Sequence, residues 1–437
     1  MDGDSLDPRS AFVPDVEVLR HALDLAADPP VSQSIALSEL PDQIPVDGIG
    51  PEAALELMST FALPTSTSLA DPMAAARMGT PTPWITWIGA TWVAARSDNL
   101  LHKAITPQVN ALSDRVIGWL APIWGMKGGM IVPGATIANL TALWSGRDAA
   151  GATKIITSES AHGSIVKSAR VLGMSLVQLE SKASEELDLD AFVDYARHDP
   201  EGFSRSVVVL TAGTHGSGAI DPIKDAMRSV RNLGLAPAWW HVDASWAGPL
   251  ALSPRLSGPL AGIGDADTVT ISAHKLMFQP TESALVLFAD PQRCEPVLEF
   301  AGPDNTKQFG MLGSRADRGL LYALTLLAYG QKGLAEWLNA SIEAMTKLAE
   351  LLRQRGDVEV FRTPSTGVLL WRPLKCSTDD VLAELGMTIG GLGLVDGWRW
   401  VRMIAANPML DVDRVMARVN EVLDALSGAD PVAATGE

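Results

Sequence analysis

Cysteine is nearly absent: Cys294 and Cys376 are the only two in 437 residues, far apart and without CxxC spacing. A disulfide framework and a zinc site are therefore not indicated, no metal is expected, and a reducing cytoplasm is the expected setting. Basic charge is also short, with 34 Lys and Arg against 51 Asp and Glu and a formal net charge of −17. A field of that sign repels phosphate backbones and anionic headgroups, so the expectation is no nucleic acid, no membrane, and a small-molecule partner. No apolar run approaches the ~20 residues that a membrane helix requires. The start MDGDSLDPRS is acidic and polar and has none of the basic and apolar regions of a secretory leader, so secretion is not expected.

Apolar residues make up 47% of the chain and charged residues 19%, which suits a folded protein of two or three structural units. Residues 15–126 carry helical spacing, as in Val116, Ile117, Leu120 and Ile123, interrupted by a linker-like LPDQIPVDGIGP at 40–51. From Lys154 onward the short runs KIIT, SLVQL, SVVVL, AWWHV, TVTIS and ALVLF alternate with helix-length segments. Such alternation predicts a mostly parallel sheet covered by helices, with ligands gathered at the carboxyl ends of the strands. A long helix is expected over 318–355, broken near Gly330 and Gly333. Strands at 358–361, 367–371 and 400–404 and a closing helix at 411–426 follow. The expected organisation is an N-terminal helical segment (1–100), a large α/β domain (101–330), a small C-terminal α+β domain (331–426) and a disordered tail (427–437), with no internal repeat.

The strand ends carry the chemistry. Asp243 and Ser245 follow the apolar AWWHV run; a buried carboxylate there needs a cationic partner, although a helix cap is the simpler use of an isolated Asp. His274 and Lys275 follow TVTIS, and a lysine in a partly desolvated pocket loses proton affinity and becomes able to form an imine; a surface turn is the alternative. His162 stands at the start of a helix after KIITSES, as a ring that stacks on an aromatic or as a cap. In PGATIANL, Ala135 and Thr136 open a helix whose free N–H groups suit a phosphate or need ordinary capping. Thr214 and His215 lie in the glycine-rich turn after SVVVL.

In this order, GATIANL, AHGS, GTHGSGAID, HVDAS and AHK resemble the core motifs of the group II amino acid decarboxylases, pyridoxal 5'-phosphate enzymes of the aspartate-aminotransferase fold (fold type I), over residues 40–412. The resemblance implies that Lys275 binds the cofactor as a Schiff base, that Asp243 pairs with the pyridine nitrogen, and that His162 stacks on the ring. It implies phosphate contacts from Ala135, Thr136 and His274, and places Thr214 and Ser245 at the ring edge. The segment Gly313-Ser314-Arg315 resembles one through which a second subunit reaches the phosphate, implying a homodimer with Ser314 at a shared site. Arg402 matches a basic position available to a substrate carboxylate, and Trp84 and Trp87 are candidates for an aromatic substrate pocket or for plain packing.

Four departures stand out. An H-P dipeptide usual in the N-terminal substrate segment is missing from PTPWITWIGATW, Ser113 replaces an acidic residue, and His215 replaces the second Thr of G-T-T. No Tyr occurs between Asp290 and Leu312, where the family carries one associated with protonating the carbon that loses carbon dioxide. Asp304, Lys307, Cys294 and a few other acids are the candidates left on that loop, with His215 and His162 as proton carriers elsewhere. The expected function is a decarboxylase-like carboxy-lyase acting on an amino acid. Alternatives are the same cofactor chemistry directed to oxygen-dependent aldehyde formation, carbon–carbon cleavage or condensation, and a non-catalytic protein of this fold.

Overall fold

β-Branched residues crowd the central strands because both faces of that sheet are covered. In β4 (Ser206–Thr211) every residue is buried, with Val207 and Val209 in one apolar core and Val208 and Leu210 in the other. The same alternation in β7 (Ala284–Phe288) sends Leu285 and Leu287 to one side and Val286 and Phe288 to the other. The structure is a computed structural model that describes residues 15–27, 38, 40–43, 45, 49–62, 68–97, 99–101, 106–294 and 310–428.

With β1 (Gly128–Val132), β2 (Lys154–Ser158), β3 (Ser175–Leu179), β5 (Trp239–Asp243) and β6 (Thr268–Ser272), the large sheet runs in the order β1-β7-β6-β5-β4-β2-β3. Only β7 is antiparallel to its neighbours. Five of these seven strands are therefore joined by parallel pairing, and β2, β4, β5 and β6 all end on one edge of the sheet. A second, antiparallel sheet has the order β10-β11-β9-β8, from β8 (Val358–Val360), β9 (Val368–Pro373), β10 (Gly391–Val395) and β11 (Trp398–Ile404). The α/β architecture expected from the strand and helix alternation is present, with its smaller α+β partner.

Two strands, β1 and β10, lie outside the apolar runs of the sequence because both are glycine-rich. At Gly129 the neighbouring strand comes so close that a Cβ would run into the Val286 carbonyl oxygen, which only glycine permits. The long helix Gly319–Arg355 has its expected break at Gly330, where φ is 64° and ψ −179°. The closing helix is Val412–Gly428, and residues 429–437 of the expected tail lie outside the described residues.

Contacts divide the chain into Met1–Ser68 and Leu69–Glu437. The first unit holds the helices Val16–Ala27 and Pro51–Ala62. In the second, residues 71–76 are tied to the C-terminal elements: the Ala75 and Ala76 amides donate to Thr388 O at 2.8 and 3.0 Å, and Asn407 Nδ2 donates to Asp71 O at 2.7 Å. The stretch before residue 100 thus contributes to the C-terminal layer, a pairing between chain ends that local sequence does not encode.

Candidate active site

The parallel strands β4, β5 and β6 end side by side, with Thr211 in register with Asp243 and Asp243 with Thr270. Asp243 is buried and surrounded by donors. Its Oδ2 accepts from Asn139 Nδ2 at 2.8 Å, and its Oδ1 accepts from the Ser245 amide at 3.1 Å and from the Ser245 hydroxyl. Asn139 comes from the helix Ala135–Ala150, whose N-cap, Gly134, provides no capping side chain. The amides of Ala135 and Thr136 donate to no acceptor in the described residues, and a Cβ on Gly134 would meet nothing within 4 Å. That helix end is an open cluster of donors at the positive pole of a 16-residue dipole.

Lys275 enters the same cavity three residues past β6. Its Nζ has no ion pair or hydrogen bond among the described residues, and burial lowers its affinity for a proton, opposed by the charge of Asp243. His162 caps the helix Gly163–Leu172, its Nδ1 accepting from the Ser164 amide at 3.1 Å. The cap makes Nδ1 an acceptor and fixes the ring's orientation. Burial and Lys275 push its pKa down while Asp243 pushes it up, with burial dominant. Ala135, His162, Thr214, His215, Asp243, Ser245 and Lys275, all picked out from the sequence, line this one cavity together with Met78, Thr211 and Gly213. The Thr211 hydroxyl is buried there with no partner among the described residues. Gly213, at φ 102°, is pressed against Trp246, whose Cδ1 would lie 2.8 Å from any added Cβ.

An outer cleft of about 380 Å³ shares His162 and His215 with the inner cavity. Its cationic group is Arg402 on β11, which donates from Nη1 to the His215 carbonyl at 3.0 Å and lies 3.2 Å from His215 Nδ1. The Arg402 Nε is buried with no partner among the described residues. Burial, and then Arg402, lower the His215 pKa to about 4, so the imidazole is neutral at neutral pH. Leu392 and Leu394 of β10 form an apolar wall. Opposite stands Glu185, whose Oε2 accepts from the Thr214 hydroxyl at 2.7 Å and the Ser217 amide at 2.6 Å. The Thr214 hydroxyl proton is therefore already committed.

Other expected residues lie elsewhere. Thr136 is on the first turn of its helix but does not line the cavity. His274 bridges the Ser283 carbonyl at 3.1 Å and the Ser272 hydroxyl at 3.3 Å, beneath the turn that carries Lys275. Ser314 lines a separate cleft with Ser113, Glu282, Arg315 and Arg318. Trp84 and Trp87 are exposed, at 63% and 37%, on the helix Trp84–Arg96, and line neither cleft within one chain. All three tyrosines are used elsewhere: Tyr195 against Lys154, Tyr322 buried on Ser283, and Tyr329 against Trp337. Cys294 is buried, with its pKa pushed up to about 12, and is no proton source. Asp304, Lys307 and the rest of 295–309 lie outside the described residues.

Asn139, Glu185, Thr211, Leu392 and Leu394 were not assigned to the site from the sequence. A buried polar side chain in an otherwise small and apolar helix was the available sign for Asn139; the others had none. Among the described residues no group of three or more His, Cys, Asp or Glu is placed to hold a metal, and no helix is long and apolar enough to cross a membrane.

Comparison with known proteins gives a family match, described as the pyridoxal-dependent decarboxylase conserved domain, over residues 52–372. Among curated proteins, L-2,4-diaminobutyrate decarboxylase of Rhizobium meliloti (strain 1021) is 26% identical over 94% of this chain and 91% of its own length. Aromatic-L-amino-acid decarboxylase of Bacillus atrophaeus is 23% identical over 85% of this chain and 82% of its own. Among solved structures, the glutamate decarboxylase domain of diaminobutyrate-pyruvate transaminase and L-2,4-diaminobutyrate decarboxylase from Vibrio parahaemolyticus superposes with a TM-score of 0.80 at 19% identity, covering 96% of each chain.

Proposed function

We propose, for a chain that belongs to the pyridoxal-dependent decarboxylase family, that Lys275 and Asp243 are the working pair of its active site. The chain is a pyridoxal-phosphate-dependent, amino acid decarboxylase-like enzyme, a carboxy-lyase by reaction class. The observation that carries the assignment of residues is one cavity holding a desolvated amine, a buried carboxylate and an uncapped helix N-terminus. These fit the cofactor's three ends: its aldehyde, its ring nitrogen and its phosphate. The orphaned Thr211 hydroxyl supplies a further polar contact within the same space.

Bound pyridoxal phosphate supplies a carbonyl that condenses with a primary amine and a ring that takes up the electron pair freed at the α-carbon. Around it, Asp243 accepts the ring N–H, because its own donors fill three of about four carboxylate lone-pair sites. The amides of Ala135 and Thr136 hold the phosphate. His162, locked by its cap, covers one ring face, and Ser245 orients Asp243. Arg402 takes the substrate carboxylate with its free Nε–H, and Leu392 and Leu394 face the substrate side chain. A substrate amine in its place would leave the Lys275 amine in the same cavity, where as an ammonium it could supply a proton to the carbon that has lost carbon dioxide.

Two copies of the chain form the functional unit. The helices Trp84–Arg96 and Pro107–Leu120, each packed against Gly319–Arg355, and that long helix itself expose Trp84, Trp92, Trp119 and Leu327, apolar side chains that a second copy would cover, and the Ser314 cleft then serves the neighbouring site. Two free cysteines suit a reducing cytoplasm.

A second reading keeps the cofactor and changes the product. Among the described residues none of the three tyrosines lines either cavity, and His215 is neutral, so neither a phenol nor a charged His215 is at hand for fast protonation. Oxygen then competes: one O₂ and one water are consumed, and an aldehyde, carbon dioxide, ammonia and hydrogen peroxide are released. Incubating holoenzyme with a panel of amino acids, with and without oxygen, and identifying products by mass distinguishes the readings. An amine formed equally in both atmospheres supports simple decarboxylation. An oxygen-dependent aldehyde with peroxide supports the second reading, and no carbon dioxide from any amino acid overturns both.

A further inference from the structure

One fully buried titratable group has no part in the chemistry above. His241 lies in the middle of β5 with no exposed surface, two residues before Asp243 on the same strand. Its Nδ1 is 3.0 Å from Thr268 Oγ1, which also receives the Trp239 indole N–H at 3.0 Å. Its Nε2 is 3.1 Å from Asn139 Oδ1. Asn139 then donates both of its N–H groups, one to Asp243 Oδ2 at 2.8 Å and one to Ser164 Oγ at 2.9 Å. From Ser164 the chain reaches His162 Nδ1 at 2.9 Å.

The direction of every link is forced by the ends. An indole N–H only donates, and a carboxylate only accepts. The carboxylate end sets the order: the Asn139 amide turns its NH₂ toward Asp243, since the flipped amide would set oxygen against carboxylate, and so turns its oxygen toward His241 Nε2. A neutral His241 then carries its proton on Nε2, which leaves Nδ1 to accept the Thr268 hydroxyl proton. Trp239 fills one of the two acceptor positions on that hydroxyl. Ser164, receiving from Asn139, gives its own proton to His162 Nδ1. Burial holds His241 neutral, with a pKa near 4, consistent with its place in the middle.

We propose that Asn139 is a positioning residue, held in one orientation by the buried Trp239–Thr268–His241 relay, that sets the donor register of Asp243 and of the His162 cap together. Its catalytic consequence rests on the role given to Asp243 above, whereas its protonation pattern does not. Packing alone needs no ordered protons; a carboxylate that must meet a cationic ring nitrogen in one geometry does. The arrangement explains why Thr268, His241 and Asn139 are buried although polar.

The test is the histidine ¹⁵N spectrum of selectively labelled holoenzyme at pH 7.5, with His241 assigned by substitution. Neutral His241 protonated at Nε2 is expected; Nδ1 protonation or a charged ring overturns the relay, whatever reaction the enzyme catalyses. Asn139→Asp keeps the shape and the acceptor for His241 but removes the donor to Asp243. We expect His241 to become charged and kcat to fall at least 100-fold with KM within threefold, in a variant that still binds cofactor. Unchanged kcat, or a His241 that stays neutral in that variant, overturns the proposal. If the variant fails to fold, the spectrum of the unaltered protein still decides.

Discussion

Replacing Asp243 by asparagine keeps the side chain's size and removes only its charge and half its accepting capacity. Three donors already converge on the two carboxylate oxygens, from Asn139, the Ser245 amide and the Ser245 hydroxyl. An amide has one oxygen for them and turns an N–H₂ toward a donor. Leaving a buried donor unpaired costs about 1–3 kcal/mol of stability. Losing the charge opposite a buried cationic ring nitrogen costs about 3–5 kcal/mol. If that loss falls on the transition state, each ~1.4 kcal/mol being tenfold, kcat falls by about 10²–10⁴. Carbon dioxide release per cofactor-loaded site measures kcat, while thermal melting and the visible spectrum separately report folding and cofactor retention. A variant with melting lowered by several degrees but kcat within threefold of the parent would show that Asp243 is a structural anchor only, and the assignment of the ring-nitrogen partner would fall.

Arg402→Gln removes one charge-assisted carboxylate contact worth about 1.5–3 kcal/mol, so KM should rise about 10- to 100-fold with a smaller change in kcat; a kcat-only defect contradicts the carboxylate role. His241 is fully buried with its pKa lowered to about 4, so the folded chain binds fewer protons than the unfolded chain between that value and the ordinary 6.5. Stability is complete above about pH 6.5 and is lost as pH falls toward 4, by at most about 3 kcal/mol; denaturant melts at pH 7.5 and 5 with no loss at the lower pH contradict this. Trp92→Glu on the exposed apolar helix should shift sedimentation from dimer toward monomer, and an unchanged dimer places the interface elsewhere. Ser314→Ala should raise the cofactor dissociation constant severalfold in the dimer, and equal retention removes Ser314 from the phosphate site.

Strand-end chemistry was legible because the apolar runs bracket it. AWWHV and TVTIS read as strands of a mostly parallel sheet, which places Asp243 and Lys275 at strand ends without knowledge of any contact. Pairings across the chain were not legible. Asn139 meets His241 over 102 residues and Glu185 meets Thr214 over 29, and no local pattern marks either partner. Glu185 also sits at φ 71°, a conformation uncommon outside glycine, so its turn carries no residue signature. Strands β1 and β10 are not marked in the sequence because glycine lowers their apolar signal, although at Gly129 close approach of the neighbouring backbone is the reason glycine is there. Trp84 and Trp87, which the sequence left open between an aromatic pocket and packing, lie on an outer face within one chain.

The central claim, that a single lysine at the end of β6 carries the cofactor opposite Asp243, is tested most directly by reducing the yellow holoenzyme with borohydride and mapping the modified peptide by mass spectrometry. Loss of the visible band and one modified lysine, Lys275, are expected. Reduced cofactor on another lysine, or none bound to the folded protein, would contradict it.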